Sequence, residues 1–195
     1  MLVEERAELV ALLRGLSEQA WQTPSLCAGW RVRDVVGHLL QDTLGPLSYA
    51  GVVLKSRGSV SRTNNAIAQS FSALSTEQLV DKLEHESGRL SKLSPRLMLS
   101  DLVVHHQDIR RPLGRPRTIP ADRLTAVLSY PDPFAFPRRF TKGLSFTATD
   151  VAWTSGEGPQ VRGPGEAIAL AVVGRSVALD DLTGDGLPEL RRRLG

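Results

Sequence analysis

The chain has 195 residues, of which 41% are hydrophobic and 23% charged, and a formal net charge of +3. That composition belongs to a globular protein with one good core, or one domain with a small appendage. The pI is about 9.4, but the basic residues are scattered and aromatics reach only 5%, which argues against nucleic-acid binding through a concentrated basic stripe. The single cysteine, Cys27, excludes an intramolecular disulfide framework and agrees with a reducing compartment. No apolar run approaches the ~20 residues of a membrane span, and the opening MLVEERAELV has neither the basic region nor the apolar core of a signal peptide. The expectation is a cytoplasmic protein without nucleic-acid or membrane partners.

Taken in order, Leu2, Leu9, Val10, Leu12, Leu13 and Leu16 recur at helical spacing, and Glu4, Glu5 and Glu8 lie in the first turns, where they complement the helix dipole. They predict an amphipathic helix over residues 2–19. The stretch TPSLCAGW, Thr23 to Trp30, breaks it with Pro24 and Gly29, and the bordering Trp21 and Trp30 are expected to pin this loop to the core. No neighbouring base for Cys27 is visible in the sequence, so its reading is a small buried side chain, not a reactive thiol. A second helix follows from Arg31, with Val32, Val35, Val36, Leu39 and Leu40 as its apolar stripe, His38 at the stripe's edge and Pro46 as a kink or break.

After the polar loop at residues 56–62, helix signals resume over Asn64 to Leu74. They start again at Ser75, where Gln78 offers a capping box, in a third helix running to about Leu93. His85, among Glu84, Glu86 and Lys82, belongs to a solvated face. Pro95 can open the next helix, which carries LMLSDLVVHHQDIRRPLG, Leu97 to Gly114. At ~100° per residue, Asp101, His105 and Asp108 fall within roughly 60° of one another on one face. Leu97, Met98, Val104 and Ile109 flank that face, so three ionisable groups run along an apolar stripe. A buried carboxylate costs several kcal/mol or more unless it is paired or binds a cation. A carboxylate and a histidine at i and i+4 suit a zinc-like or nickel-like ion if another helix supplies a ligand; the alternative is a hydrogen-bonded Asp–His pair without metal. His38 is the upstream histidine placed to complete a three-ligand set. His106 points roughly 100° away from His105 and is a poor ligand for the same ion. Arg110 and Arg111 could hold carboxylates, but their helical phase favours surface ion pairing.

Five prolines, at 116, 120, 131, 133 and 137, leave room for a short helix over about Ala121 to Ser129. The texture changes near Lys142. Leu144 to Asp150 alternates like a half-buried strand, Val151 to Trp153 extends it, and the Ser155-to-Pro159 turn brings Gln160 to Arg162 back as a hairpin strand. Gly165 to Val173 reads as an apolar helix ended by Gly174, and Leu187 to Leu194 as an amphipathic terminal helix. The expected domains are a helical bundle with the metal site at 1–141 and a small α+β module at 142–195 packed on it. There is neither a glycine-rich phosphate loop between strand and helix nor a Ser-His-Asp order with a nucleophile elbow.

The stretches WQTPSLCAGWRVRDVVGHL, DLVVHHQDIRRPLG and TATDVAWTSGEGPQVRGPGEAIALAVVGR together resemble the actinobacterial mycothiol-dependent maleylpyruvate isomerase-like proteins. The resemblance covers nearly the whole chain. It implies a mainly α fold, a DinB-like up-down four-helix bundle followed by a small α+β module. It further implies a divalent metal, zinc first and nickel second, held by His38, Asp101 and His105, with Asp108 orienting a ligand histidine. Asp101 departs from the family's more frequent glutamate and is one methylene shorter. The activity implied is that of a metal-dependent isomerase or S-transferase that uses mycothiol on a small electrophilic substrate. The alternatives are a non-catalytic metal-binding or stress-response module and a metal-dependent hydrolase. Monomer and homodimer both remain open.

Overall fold

The computed structural model describes residues 1–86 and 88–195 and is mainly helical, with a small three-stranded sheet. It divides into two compact units, Met1–Pro116 and Arg117–Gly195. The division falls earlier than residue 141, where the texture of the sequence changes, because the helix Ala121–Ser129 packs with the later elements. Its Leu124 and Leu128 lie so close to Gly165 that a Cβ there would meet both.

The first unit opens with α1 (Leu2–Arg14), which buries Leu9, Val10 and Leu13 and ends at Gly15. A separate short helix, α2 (Glu18–Trp21), follows because the Ser17 hydroxyl caps it by accepting from the Ala20 N–H at 3.3 Å. The helix expected to run to residue 19 is therefore two pieces. Next, α3 (Val32–Leu39) starts where the Asp34 carboxylate accepts from the Arg31 N–H at 2.9 Å. It gives way to a 3-10 turn at Leu40–Thr43, and Pro46, at the first position of α4 (Pro46–Lys55), marks the break. Then come α5 (Val60–Ser70) and α6 (Thr76–His85), the latter opened by the Ser75/Gln78 capping box. The third helix does not continue to Leu93: Glu86 leaves helical geometry and α7 (Arg89–Leu93) is distinct, with Ser87 outside the described residues. The unit closes with α8 (Pro95–Arg110), followed by Gly114 in the left-handed region at φ 61.

These helices form a bundle in which α1 packs on α6 and α8, and α3 on α5, α6 and α8. The core joins Leu9, Leu13, Trp21, Val32, Val35, Val36, Ile67, Leu79, Leu83, Leu102 and Ile109; each such side chain contributes about 1.5–3 kcal/mol of transfer free energy when fully buried. Helix α3 sits close on α5, since a Cβ on Gly37 would lie 3.0 Å from the Ala68 carbonyl oxygen. That seating fixes the next residue, His38.

The second unit contains α9 (Ala121–Ser129), α10 (Arg138–Thr141), β1 (Ser145–Ala148), β2 (Thr154–Gly156), β3 (Gln160–Gly163), α11 (Gly165–Ala171) and α12 (Leu187–Leu194). The sheet order is β2-β1-β3, with β1 antiparallel to β2 and parallel to β3. The strand at 160 therefore does not pair back on its predecessor as a hairpin; it crosses to the other edge of β1. Gly156 (φ 81) and Gly158 (φ 120) permit the crossing, as a Cβ at either would collide with the carbonyl of Leu144 or Gly143. Phe146 and Val161 face the interior, and α11 is buried along most of its length.

Candidate metal centre

Helix α8 is apolar enough to be buried from Met98 to Ile109, and it carries its ionisable residues inward because they share the apolar face. Asp101 and His105 are buried and Asp108 is fully so. Across from them α3 presents His38, 2% exposed. The structure brings the three expected ligands together: Asp101 Oδ1 lies 3.6 Å from His38 Nε2 and 3.4 Å from His105 Nε2. The imidazole centroids are 4.8 Å apart in an edge-on arrangement, and one donor atom from each residue lies within 4.8 Å of the others.

These separations suit a shared ion. Nitrogen and oxygen donors at 2.0–2.1 Å around a tetrahedral zinc stand about 3.3 Å apart, close to the 3.4 and 3.6 Å found. They are long for hydrogen bonds. Among the described residues, His38 Nδ1 has no hydrogen-bond partner although it is buried. Asp101 reaches the two rings despite its short side chain, and the Gln41 amide donates to its other oxygen, Oδ2, at 3.0 Å. Asp108 lies on the far side of His105, its Oδ2 2.8 Å from Nδ1. A carboxylate only accepts, so Nδ1 carries a proton, and Nε2, directed at Asp101, is the nitrogen that a metal would take once it has displaced the second proton.

The electrostatics match this arrangement. Burial raises the Asp101 carboxyl, but the adjacent His105 and His38 imidazoles together hold it well below the ordinary carboxylate range. Burial opposes the charge on His105; Cys27, Asp101 and Asp108 outweigh it and raise that imidazole well above 6.5. Burial and the Asp101 charge push the Tyr49 phenol up.

Several neighbours were not read from the sequence. Trp30 lies against both imidazoles, its ring 5.3 Å from His38 and 6.5 Å from His105 in a stacked orientation, and its Nε1 donates to Asn65 at 2.6 Å. Gln41 stands three residues after His38, a helical interval that could have revealed it. Cys27, read as a plain buried side chain, has its Sγ 3.1 Å from Asp108 Oδ2 and 3.6 Å from His105 Nδ1. Helical phase is silent here, because the thiol arrives on a loop. Cys27, His105 and Asp108 also form a group with metal-ligand chemistry, but a 2.8 Å Nδ1 to Oδ2 separation is a hydrogen bond and too short for two ligands of one zinc. His105 thus turns ligand spacing to one side and hydrogen-bond spacing to the other.

The residues set aside behave differently. His106 is fully buried away from the centre, with Nδ1 2.7 Å from Glu5 Oε1 and Nε2 accepting from Arg110 Nε at 2.7 Å. Arg110 therefore serves an interior network where surface ion pairing was expected. His85 is exposed, its Nδ1 3.0 Å from the Asp81 carbonyl.

Two histidines and a carboxylate converge from facing helices of this mainly helical bundle, a candidate metal-ligand group of the kind that bundle cores can build. Residues 2–45 match the family model of the mycothiol maleylpyruvate isomerase N-terminal domain, a segment that includes His38. The fold resembles that of a crystal structure of a point mutant of mycothiol-dependent maleylpyruvate isomerase, with a TM-score of 0.51 and 16% identity over 94% of this chain and 92% of that one. A second structure of that isomerase aligns over the same shares at 14% identity and a TM-score of 0.46. No curated protein sequence matches the chain. No helix among the described residues is long and apolar enough to cross a membrane.

Proposed function

We propose that the chain is a cytoplasmic metal-dependent enzyme that uses a low-molecular-weight thiol, mycothiol in the reading its resemblances favour, for isomerisation or S-transfer on a small electrophilic substrate. The observation that carries this reading is the convergence of His38 Nε2 and His105 Nε2 on Asp101 Oδ1, at 3.6 and 3.4 Å. Two imidazoles and one carboxylate suit zinc best and nickel next, and three protein ligands leave coordination positions open. A divalent ion held there supplies a Lewis acid that favours the ionised form of a bound thiol. The chain's own residues provide the rest. Asp101 contributes negative charge, Asp108 keeps Nε2 of His105 aimed inward, Gln41 holds Asp101 by its second oxygen, and Trp30 walls the two rings.

The test is metal content of the purified protein and of His38→Ala and His105→Ala variants, followed by thermal shift with mycothiol. One equivalent of zinc or nickel, lost in both variants, with a thiol-induced rise in Tm that requires the metal, supports the proposal. Substoichiometric metal unchanged by either substitution overturns it in favour of a non-catalytic module. A metal-loaded protein indifferent to the thiol points to hydrolysis.

A further inference from the structure

Helix α3 does not run out into solvent. After Leu39 the chain tightens into the 3-10 turn Leu40–Thr43, whose closer winding brings residue 41 nearer to eclipsing residue 38 than a continued α-helix would. The turn is fastened on both sides of Gln41. Leu40 is fully buried, and its carbonyl accepts from the Thr43 hydroxyl at 2.8 Å. The buried Asp42 carboxylate accepts from the Gly88 N–H at 2.9 Å, the Ser91 N–H at 3.2 Å and the Ser91 hydroxyl. Between these anchors the half-buried Gln41 sends its amide across to α8, where it donates to Asp101 Oδ2 at 3.0 Å. Among the described residues Oδ2 accepts from no other donor. The two oxygens of Asp101 thus have separate tasks: Oδ1 faces His38 Nε2 at 3.6 Å and His105 Nε2 at 3.4 Å, and Oδ2 is held by the amide.

We propose that Gln41 is a positioning residue that restricts Asp101 to ligation through Oδ1 alone, so that a coordination position of the ion stays open to the thiol. The inference deepens the proposed function and rests on that reading. A carboxylate can bind a divalent cation through one oxygen or through both. Through both, Asp101 would join the two imidazoles to supply four donors, the full set of a closed tetrahedral site; through one, it leaves the three-donor arrangement of a catalytic site. Bringing Oδ2 onto the ion as well requires the carboxylate to turn about its Cβ–Cγ bond, which draws Oδ2 off the amide. An amide suits this work better than a lysine or an arginine because it is neutral. It engages one oxygen without cancelling the charge that the other presents to the cation.

The experiment compares the full chain with Gln41→Met, which keeps the length and removes the donor, and Gln41→Lys, which restores a donor with a charge. Each is loaded with cobalt, whose visible bands report coordination number, and titrated with mycothiol, whose thiolate–cobalt charge transfer reports access to the open position. Metal affinity is measured separately by competition with a chromophoric chelator. The expected result for Gln41→Met is a cobalt and zinc Kd no weaker than native, d–d bands weakened by the extra oxygen ligand, and a mycothiol Kd roughly tenfold weaker. Gln41→Lys should keep the native d–d bands and mycothiol affinity while binding the metal less tightly. Parallel losses of metal and thiol affinity in Gln41→Met would mark a merely structural role and overturn the assignment, as would native spectra and native thiol affinity in that variant. If mycothiol leaves the native cobalt spectrum unchanged, the thiol reading fails, and the one-oxygen restriction stands or falls with the d–d bands of Gln41→Met. If the native chain binds neither metal, both fail.

Discussion

Replacing Asp101 with asparagine, which keeps the shape and removes the charge, probes the electrostatic centre of the site. In the metal-free protein His105 is raised well above 6.5 and Asp101 held well below 3.8, so near neutrality they form a buried ion pair at 3.4 Å. At an effective dielectric constant of about 20 the Coulomb attraction at that distance is about 5 kcal/mol. Asparagine also avoids the cost of burying the carboxylate, so the net loss expected is smaller, about 2–4 kcal/mol. The pH dependence carries a definite sign. A histidine whose folded pKa lies above its unfolded one contributes stability that is present in full below 6.5 and lost as pH rises through the folded value. The Asp101 contribution runs the other way, present above 3.8 and lost only as pH falls through the lowered folded value. Asp101→Asn should therefore be most destabilising around pH 5–6 and approach native stability in alkali. Urea unfolding in the presence of a chelator, at several values across that range, measures it. A penalty that stays flat or grows with pH would refute the ion pair.

Two further outcomes follow from the same geometry. Zinc must displace the proton that His105 holds, so zinc binding near neutrality should release close to one proton, and release should shrink in alkali. Calorimetry in buffers of different ionisation enthalpy measures it, and release independent of pH would contradict the raised imidazole. Gly37→Ala places a methyl 3.0 Å from the Ala68 carbonyl, which forces α3 and α5 apart at the turn that carries His38. The expected loss is about 1–3 kcal/mol in denaturant unfolding together with weaker zinc binding, and a variant as stable as the native protein would show that the two helices separate freely.

Helical periodicity made the bundle and the ligand face legible. The phase of Asp101, His105 and Asp108 on one apolar stripe was sufficient to identify a buried polar row, and only His38 among the upstream histidines lay beside another such stripe. What stayed hidden came from parts of the chain without a period. Cys27 reaches Asp108 from a loop whose path depends on Gly29 and Ser25. Glu5, read in the sequence only as a first-turn acid that complements the helix dipole, is fully buried against His106, a contact between segments 101 residues apart. The parallel pairing of β3 with β1 followed from glycine dihedrals where the turn composition pointed to a hairpin. The earlier boundary between units followed from the packing of α9, which no shift in composition announces.

The two adjacent histidines of α8 show how a structural imidazole differs from one poised for a ligand. His106 is fully buried and both its nitrogens are engaged at 2.7 Å, one by the Glu5 carboxylate and one by the Arg110 guanidinium. A chain with an anion at one end and a cation at the other holds a neutral imidazole without unmet demand, which is how a buried polar group is normally accommodated. His105 is engaged at hydrogen-bond distance on its Nδ1 side only. Its Nε2 faces Asp101 Oδ1 at 3.4 Å, and His38 Nε2 stands 3.6 Å from the same oxygen, separations longer than a good hydrogen bond and close to those of ligands around one ion. Three polar groups could have closed on one another in a bundle this well packed, yet Gln41 and Asp108 hold Asp101 and His105 from behind.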